Sequence, residues 1–335
     1  MKTKLIYVLS VCLFITTFYH PFLTKAATSY LNTEQLQKAM EETSSNIDRM
    51  DSYAKTITEQ GESFSRNIQS LNISDLKDEL IVHNQNAQNN ANYWKDSLRN
   101  EVIGTNKIII QYHDIFMNHY NNMVEFAQNN ERESLTSTLL QLQSEIEENQ
   151  HKVNTIISTF QTYRSDLSKD VRAFQNDSDE LIAQLEGEQS YISSLEKEIS
   201  SLKKGIEEDK IIIAIGAIGG IFGIPAIIIA EKNLREKQAR LKDKQAILSD
   251  VKAEIEVLKT LNKQVGNFSS TIDNVISSLT DMSNQWSTMS SKMAVLMDHV
   301  NDVDVNLSVF VIPDINTAKQ DWEGVKAYAE ALLNQ

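Results

Sequence analysis

Six histidines and one cysteine are the side chains of this 335-residue sequence with the broadest catalytic and metal-binding repertoire. His83, His113, His119, His151 and His299 are scattered, none forms an i,i+4 pair, and no H-E-x-x-H, P-loop or G-x-S-x-G string occurs. His113-Asp114 and His119 share one predicted helix, but a separation of six residues suits no shared metal ion. Polar positions on a helix surface account for them. The glycine cluster at 216–223 is no phosphate loop, because neither Lys nor Ser/Thr follows Gly223. The expectation is a protein without catalytic, metal-binding or cofactor-binding residues and without a small-molecule substrate, and so not an enzyme.

The chemistry the sequence does offer is partition into lipid. From Ile211 to Ala230, between Lys210 and Glu231, twenty residues carry no charge and no polar side chain. That length spans the ~30 Å hydrocarbon core of a bilayer as one helix. Its isoleucine-rich ends suit two β-strands around a glycine-rich centre equally well. A buried core helix is a poor fit, since uniformly apolar residues need cover on all sides. A constitutive transmembrane span, and a segment shielded first and released into a bilayer later, both remain. The expected membrane-inserting residues are Ile211, Ile212, Ile213, Ile215, Ile218, Ile221, Phe222, Ile224, Ile227, Ile228 and Ile229. Gly216, Gly219, Gly220, Gly223 and Pro225 form a conformational hinge, because they lower the cost of exchanging strand-like and helical backbones.

Two heptad arms flank this segment. From Leu234 to Leu307, apolar residues recur in three- and four-residue steps, interrupted only by Lys237, Lys244 and Asn262. As a helix this arm would reach about 110 Å. From Leu135 to Ile206 the same period recurs, with a shift near Tyr163/Arg164, and predicts a helix of about 108 Å. Equal arms on either side of a short segment predict an antiparallel helical hairpin. Upstream, Leu31–Leu71 and Leu76–Phe126 read as amphipathic helices separated by Asn72-Ile73-Ser74-Asp75. The Asn/Gln-rich patch His83–Asn92 keeps helical spacing. Pro313-Asp314 is expected to start a short terminal helix, and Trp94, Trp286 and Trp322 to lie in the core.

Composition agrees with a rod. Glycine (10) and proline (3) together make about 4 per cent of the chain, against roughly 12 per cent on average, which disfavours turn-rich β and α/β folds. A net charge of −14 disfavours a nucleic-acid partner. Lys2 and Lys4, the apolar run Leu5–Phe18 and Ala26-Ala27 read as a signal peptide, 1–27, that includes Cys12 and implies export. The expected organisation is a helical bundle, 28–206 and 234–335, with a head, 207–233, inserted between its long helices. The basic run Lys232, Arg235, Lys237, Arg240, Lys242, Lys244 is mixed with acids and reads as a solvated helix face. Its place beside the head also suits attraction to anionic headgroups.

A leader, a cysteine-free helical body and an isoleucine/glycine-rich head between two very long helices resemble the haemolysin BL and non-haemolytic enterotoxin components of bacilli. These belong to the cytolysin A-like α-helical pore-forming toxins. The resemblance covers the whole chain beyond the leader and rests on architecture. It implies an all-α fold, an elongated bundle of about five helices with two very long antiparallel helices and a small apolar head (β-tongue or short helices) at one end. It further implies a secreted, extracellular protein that inserts its head into the target-cell lipid bilayer and oligomerises with itself and with homologous toxin components. In that family the lumen is usually formed by amphipathic helices, here Leu31–Leu71 or a partner's. The alternative is a membrane-anchored coiled-coil receptor or signalling protein with 211–230 as a constitutive transmembrane helix. Basic residues just after Ala230 favour it under the positive-inside rule, and it predicts that the two arms never touch. An extracellular scaffold with a buried apolar hinge is the least favoured reading.

Overall fold

The computed structural model describes residues 32–70, 76–187, 190–218, 224–302 and 304–334. The expected signal peptide and the break at 72–75 lie outside them. Among the described residues every regular element is helical. They are α1 (Thr33–Ser70), α2 (Leu76–Tyr93), a π turn (Trp94–Leu98), α3 (Arg99–Gln128), α4 (Arg132–Glu186), α5 (Tyr191–Ile218), α6 (Ile224–Asn301) and α7 (Leu307–Leu333). Helix α2, the π turn and α3 are continuous, and α5 prolongs α4. The described residues therefore form five rods, as the sequence predicts.

Helix α6, 78 residues and about 117 Å long, is the spine. Its apolar seam, from Val251 to Val300, is almost fully buried. Helix α4 runs antiparallel to it: Thr136 bonds Asn301 (3.0 Å), Ser283 bonds Asn154 (2.7 Å) and Asn262 bonds Asp179 (3.1 Å). Around this pair, α3 and α7 complete a four-helix tail and α1 and α2 a four-helix middle. The tail core centres on Tyr112, Trp286 and Trp322, whose rings lie 4.6–6.0 Å apart. On the outside of the tail, Lys326 of α7 donates to Asp114 of α3 at 2.7 Å. That bond, with a further one from His113, holds the Asp114 carboxyl below the usual carboxylate range. The stabilisation is present above the unfolded carboxyl's range and is lost as pH falls through the lowered folded value. It is small because the pair is exposed.

The Asn/Gln-rich patch is a packed polar interface. Asn84, fully buried, donates to the Gly61 carbonyl (2.8 Å) and to Ser65 Oγ (2.7 Å), closing α2 onto α1. A Cβ at Gly61 would stand 2.6 Å from the Gln88 amide nitrogen and 3.0 Å from the Asn84 amide oxygen, so a larger residue there would displace these polar side chains. On the opposite side His83 meets Asp177 (2.6 Å) and Asn90 meets Asp170 (3.1 Å) of α4. One turn further, Trp94 Nε1 and Arg99 Nε both donate to Asp51, at 2.9 and 2.7 Å. Residues five apart point about 140° apart on an α-helix, whereas the wider π turn brings them toward one side.

The expected shift near Tyr163/Arg164 is present inside an unbroken α4: the buried seam runs Phe160, Tyr163, Leu167, Val171, with two four-residue steps in succession after Tyr163. Three expectations are corrected. Ile157, rather than Ile156, fills the seam below Phe160. The arm expected to run unbroken to Ile206 is interrupted after Gly187, where Ser190 accepts from the Ser193 amide (3.2 Å) and restarts the helix as α5. At the far end Pro313 lies inside α7 and does not begin it, because Asn306 caps that helix seven residues earlier by accepting from the Val309 amide. Arg132 joins this corner to α4, donating to the carbonyls of Val300, Asp302 (2.8 Å) and Val305 (2.6 Å). One carbonyl at the end of α6 and two of the turn that follows it thereby gain a donor.

The receptor alternative is overturned by packing. Helices α5 and α6 lie side by side, with Glu198 and Glu196 of α5 bonded to Lys244 and Lys252 of α6. Arms on opposite sides of a bilayer cannot pair in this way. Among the described residues no helix is long and apolar enough to cross a membrane.

Candidate membrane-insertion site

Helix α1 ends level with the start of the buried α6 seam, where Asn67 donates to Glu254 at 2.7 Å. Burial there holds the Glu254 carboxyl above its usual range. Beyond that level, among the described residues, the side-chain bonds that α6 makes to another helix go to α5. Residues 231–250 thus form one side of a two-helix stalk about 30 Å long, and the described parts of the apolar segment, 211–218 and 224–230, lie at its tip.

Two helices alone bury only a narrow stripe. Leu195, Ile199 and Ile206 of α5 are covered, but Leu234, Leu241 and Leu248 of α6 stay half-buried. The polar interruptions of the α6 heptad fill the gaps, and each finds an acid on the opposing arm. Lys237 pairs with Asp209 (2.8 Å), Lys244 with Glu198 (2.7 Å) and Asn262 with Asp179 (3.1 Å). Lys237 also donates to the Gly205 carbonyl at 3.1 Å. A Cβ at Gly205 would stand 3.0 Å from that ammonium, so the lysine packs directly over the glycine. Polar groups at seam positions fix which residues face one another, at some cost in stability.

Asp209, with only 7 % of its side chain exposed, depends on Lys237 for a counter-charge. Lys237→Met is therefore expected to destabilise the stalk by about 2 kcal/mol, and adding Asp209→Leu to recover most of it. Amide exchange along α5 measures both. Equal protection in the single variant and the parent would contradict the assignment.

Two residues beyond Asp209 the surface changes character. Ile211, Ile212 and Ile229 are 57 %, 44 % and 61 % exposed, while Ile213 is half-buried and Ala230 is enclosed between the helices. Of the two expected backbone forms, the described residues take the helical one: 211–218 end α5 and 224–230 begin α6. The structure thus brings Ile211, Ile212 and Ile213 to the same end of the molecule as Ile229. Ile215, Gly216 and Ile218 lie on α5, and Ile224, Pro225, Ile227 and Ile228 on α6. Pro225 falls in the first turn of its helix, where a missing N–H leaves no bond unmade. Gly219, Gly220, Ile221, Phe222 and Gly223 lie outside the described residues. The cross-arm acids escaped the sequence reading, although a lysine at a seam position facing a glutamate-rich arm is a usable signal for them. Among the described residues no group of three His, Cys, Asp or Glu side chains is placed to hold a metal ion.

An all-α rod with a four-helix body and an apolar tip on a two-helix stalk has the architecture of the α-helical pore-forming toxin components. Three solved structures share it. The HblL1 toxin component of Bacillus cereus aligns over 91 % of this chain and 97 % of its own, at 21 % identity and a TM-score of 0.65. AhlB, from the pore of the tripartite α-pore-forming toxin AHL of Aeromonas hydrophila, aligns over 90 % and 96 %, at 14 % identity and 0.73. SmhB, from the pore of the tripartite α-pore-forming toxin Smh of Serratia marcescens, aligns over 89 % and 98 %, at 14 % identity and 0.72. The profile of the Bacillus haemolytic enterotoxin (HBL) family matches residues 30–209. The chain belongs to that family.

Proposed function

We propose that this protein is a secreted component of a multi-protein pore-forming toxin, without enzymatic activity, that places its apolar head in the bilayer of a target cell and oligomerises there with partner components. The single observation that carries the reading is the position of the uncharged Ile211–Ala230 segment at the free end of a two-helix stalk, with isoleucines exposed at its base. Exposed apolar surface of this kind, away from any core, marks a contact with lipid or protein. The multi-component part draws on AhlB and SmhB, each a member of a tripartite α-pore-forming toxin.

Dimensions shape the mechanism. The helical apolar stretches, 211–218 and 224–230, rise about 12 and 10 Å, against ~30 Å for the whole hydrocarbon core. In this form the head reaches one leaflet. A water-filled path therefore requires more than one head: further copies, partner chains, or an opening at the glycine-rich hinge. The amphipathic α1, which buries an apolar face (Leu36, Met40, Met50, Ile57, Phe64 and Ile68) in the body and keeps a polar one outside, is the element of this chain best suited to line such a path.

Protein purified from culture medium without detergent is expected to bind liposomes added afterwards and to release an entrapped dye once its partner components are supplied. Recovery only in the membranes of the producing cell would contradict the proposal.

A further inference from the structure

We propose that the stalk carries a binding site for anionic phospholipid headgroups, formed by Lys203 and Lys204 of α5 with Arg240 and Lys242 of α6. The inference rests on the insertion reading above and adds the lipid class. In residues 203–210 and 231–244, nine Lys/Arg stand against six Asp/Glu, within a chain whose net charge is −14. The part of the rod beside the head is thus positive on an otherwise acidic molecule.

Pairing divides these cations into two sets. Lys210, Lys232 and Arg235 are bridged to Glu207, Glu236 and Glu231 on their own helices, while Lys237 and Lys244 cross to Asp209 and Glu198. Lys203, Lys204, Arg240 and Lys242 are exposed and form no ion pair among the described residues. The register set by the Lys237–Gly205 and Lys244–Glu198 contacts places these four residues at one level. Lys203 and Lys204 stand opposite residues 239 and 238, within about one helical turn of Arg240 and Lys242. They form a belt of four uncompensated charges around a rod two helices thick. Of the acids nearby, Glu208 and Asp243 are also exposed, so the belt keeps a net positive charge.

The belt's height fits a membrane surface. Lys204 lies seven residues, about 10 Å, before Ile211, and Arg240 ten residues, about 15 Å, after Ala230. With the apolar tip in hydrocarbon, the belt sits just outside a headgroup layer about 5–8 Å thick. That is within one or two screening lengths of its phosphates, and long Lys and Arg stems carry the charge toward them. Each basic residue at that height strengthens adsorption to an anionic surface about fivefold.

The test uses the full chain without its leader, and the variant Lys203→Gln/Lys204→Gln/Arg240→Gln/Lys242→Gln. Each is sedimented with vesicles of phosphatidylcholine, alone or with added phosphatidylserine. These side chains are exposed and unpaired, so an unchanged helical spectrum and melting temperature are expected of the variant. The parent is expected to bind the anionic vesicles far more tightly than neutral ones. The variant loses roughly 600-fold of affinity for the anionic vesicles, with neutral-vesicle binding unchanged. Inorganic phosphate at matched ionic strength leaves binding intact. Equal binding of the parent to both vesicles, or no loss in the variant, overturns the belt while leaving head insertion standing. Displacement by inorganic phosphate overturns it in favour of a free-phosphate site. Failure of the parent to bind either vesicle overturns both readings.

Discussion

Ile215→Asp combined with Ile227→Asp is expected to abolish membrane association while leaving the folded rod intact. Each site lies a few residues inside one end of the apolar segment, on α5 and α6 respectively. A carboxylate in mid-bilayer costs up to about 3 kcal/mol, and the lost isoleucine adds about 0.5. Allowing for the shallow depth, the pair amounts to about 4 kcal/mol, or roughly 1000-fold in vesicle binding. Folding is spared because the segment lies beyond the four-helix body, whose core is built from other residues. Vesicle flotation beside a thermal melt measures the two effects separately. A variant that floats as the parent does would remove the head from the mechanism.

Trp286→Ala has the opposite profile, with a large effect on stability and none on the head. Trp286 is fully buried on α6, its ring 5.5 Å from Tyr112 of α3 and 6.0 Å from Trp322 of α7. Truncation empties the point where these helices meet, at a cost of about 3–5 kcal/mol and a fall in melting temperature of about 10 °C. Its indole N–H has no hydrogen-bond partner among the described residues, so Trp286→Phe keeps the aromatic packing and loses no bond seen there. That variant should stay within about 1.5 kcal/mol of the parent. If Phe proves as costly as Ala, the nitrogen holds a bond that the packing does not account for.

The pattern of success in reading the sequence has a physical basis. The α6 seam was legible because seventy residues of one helix keep a single period, and the hairpin followed from matched arms. The head stood out by composition alone. The break at Gly187 was hidden because a four-residue interruption barely disturbs a heptad pattern. Its signature, a glycine three residues before the capping Ser190, is faint beside the leucines around it. Pro313 misled because proline suits the first turn of a helix, and the weaker signal of Asn306 had already started α7. Most of the stalk's character was illegible. Lys237 and Lys244 register as defects in a hydrophobic repeat, and only the opposing arm shows that Asp209 and Glu198 answer them. The same holds for the belt, since the sequence lists nine cations and only pairing separates the free from the bound.

The most direct test of the central claim follows the head itself. Beyond the expected leader the sequence has no cysteine, so Ile212→Cys provides a single site for an environment-sensitive fluorophore at the exposed base of the head. On addition of liposomes to the labelled protein, the account predicts a blue-shifted, brighter emission that lipid-phase quenchers suppress. An unchanged spectrum from protein that has bound the vesicles would show that another surface makes the contact, and would contradict the account.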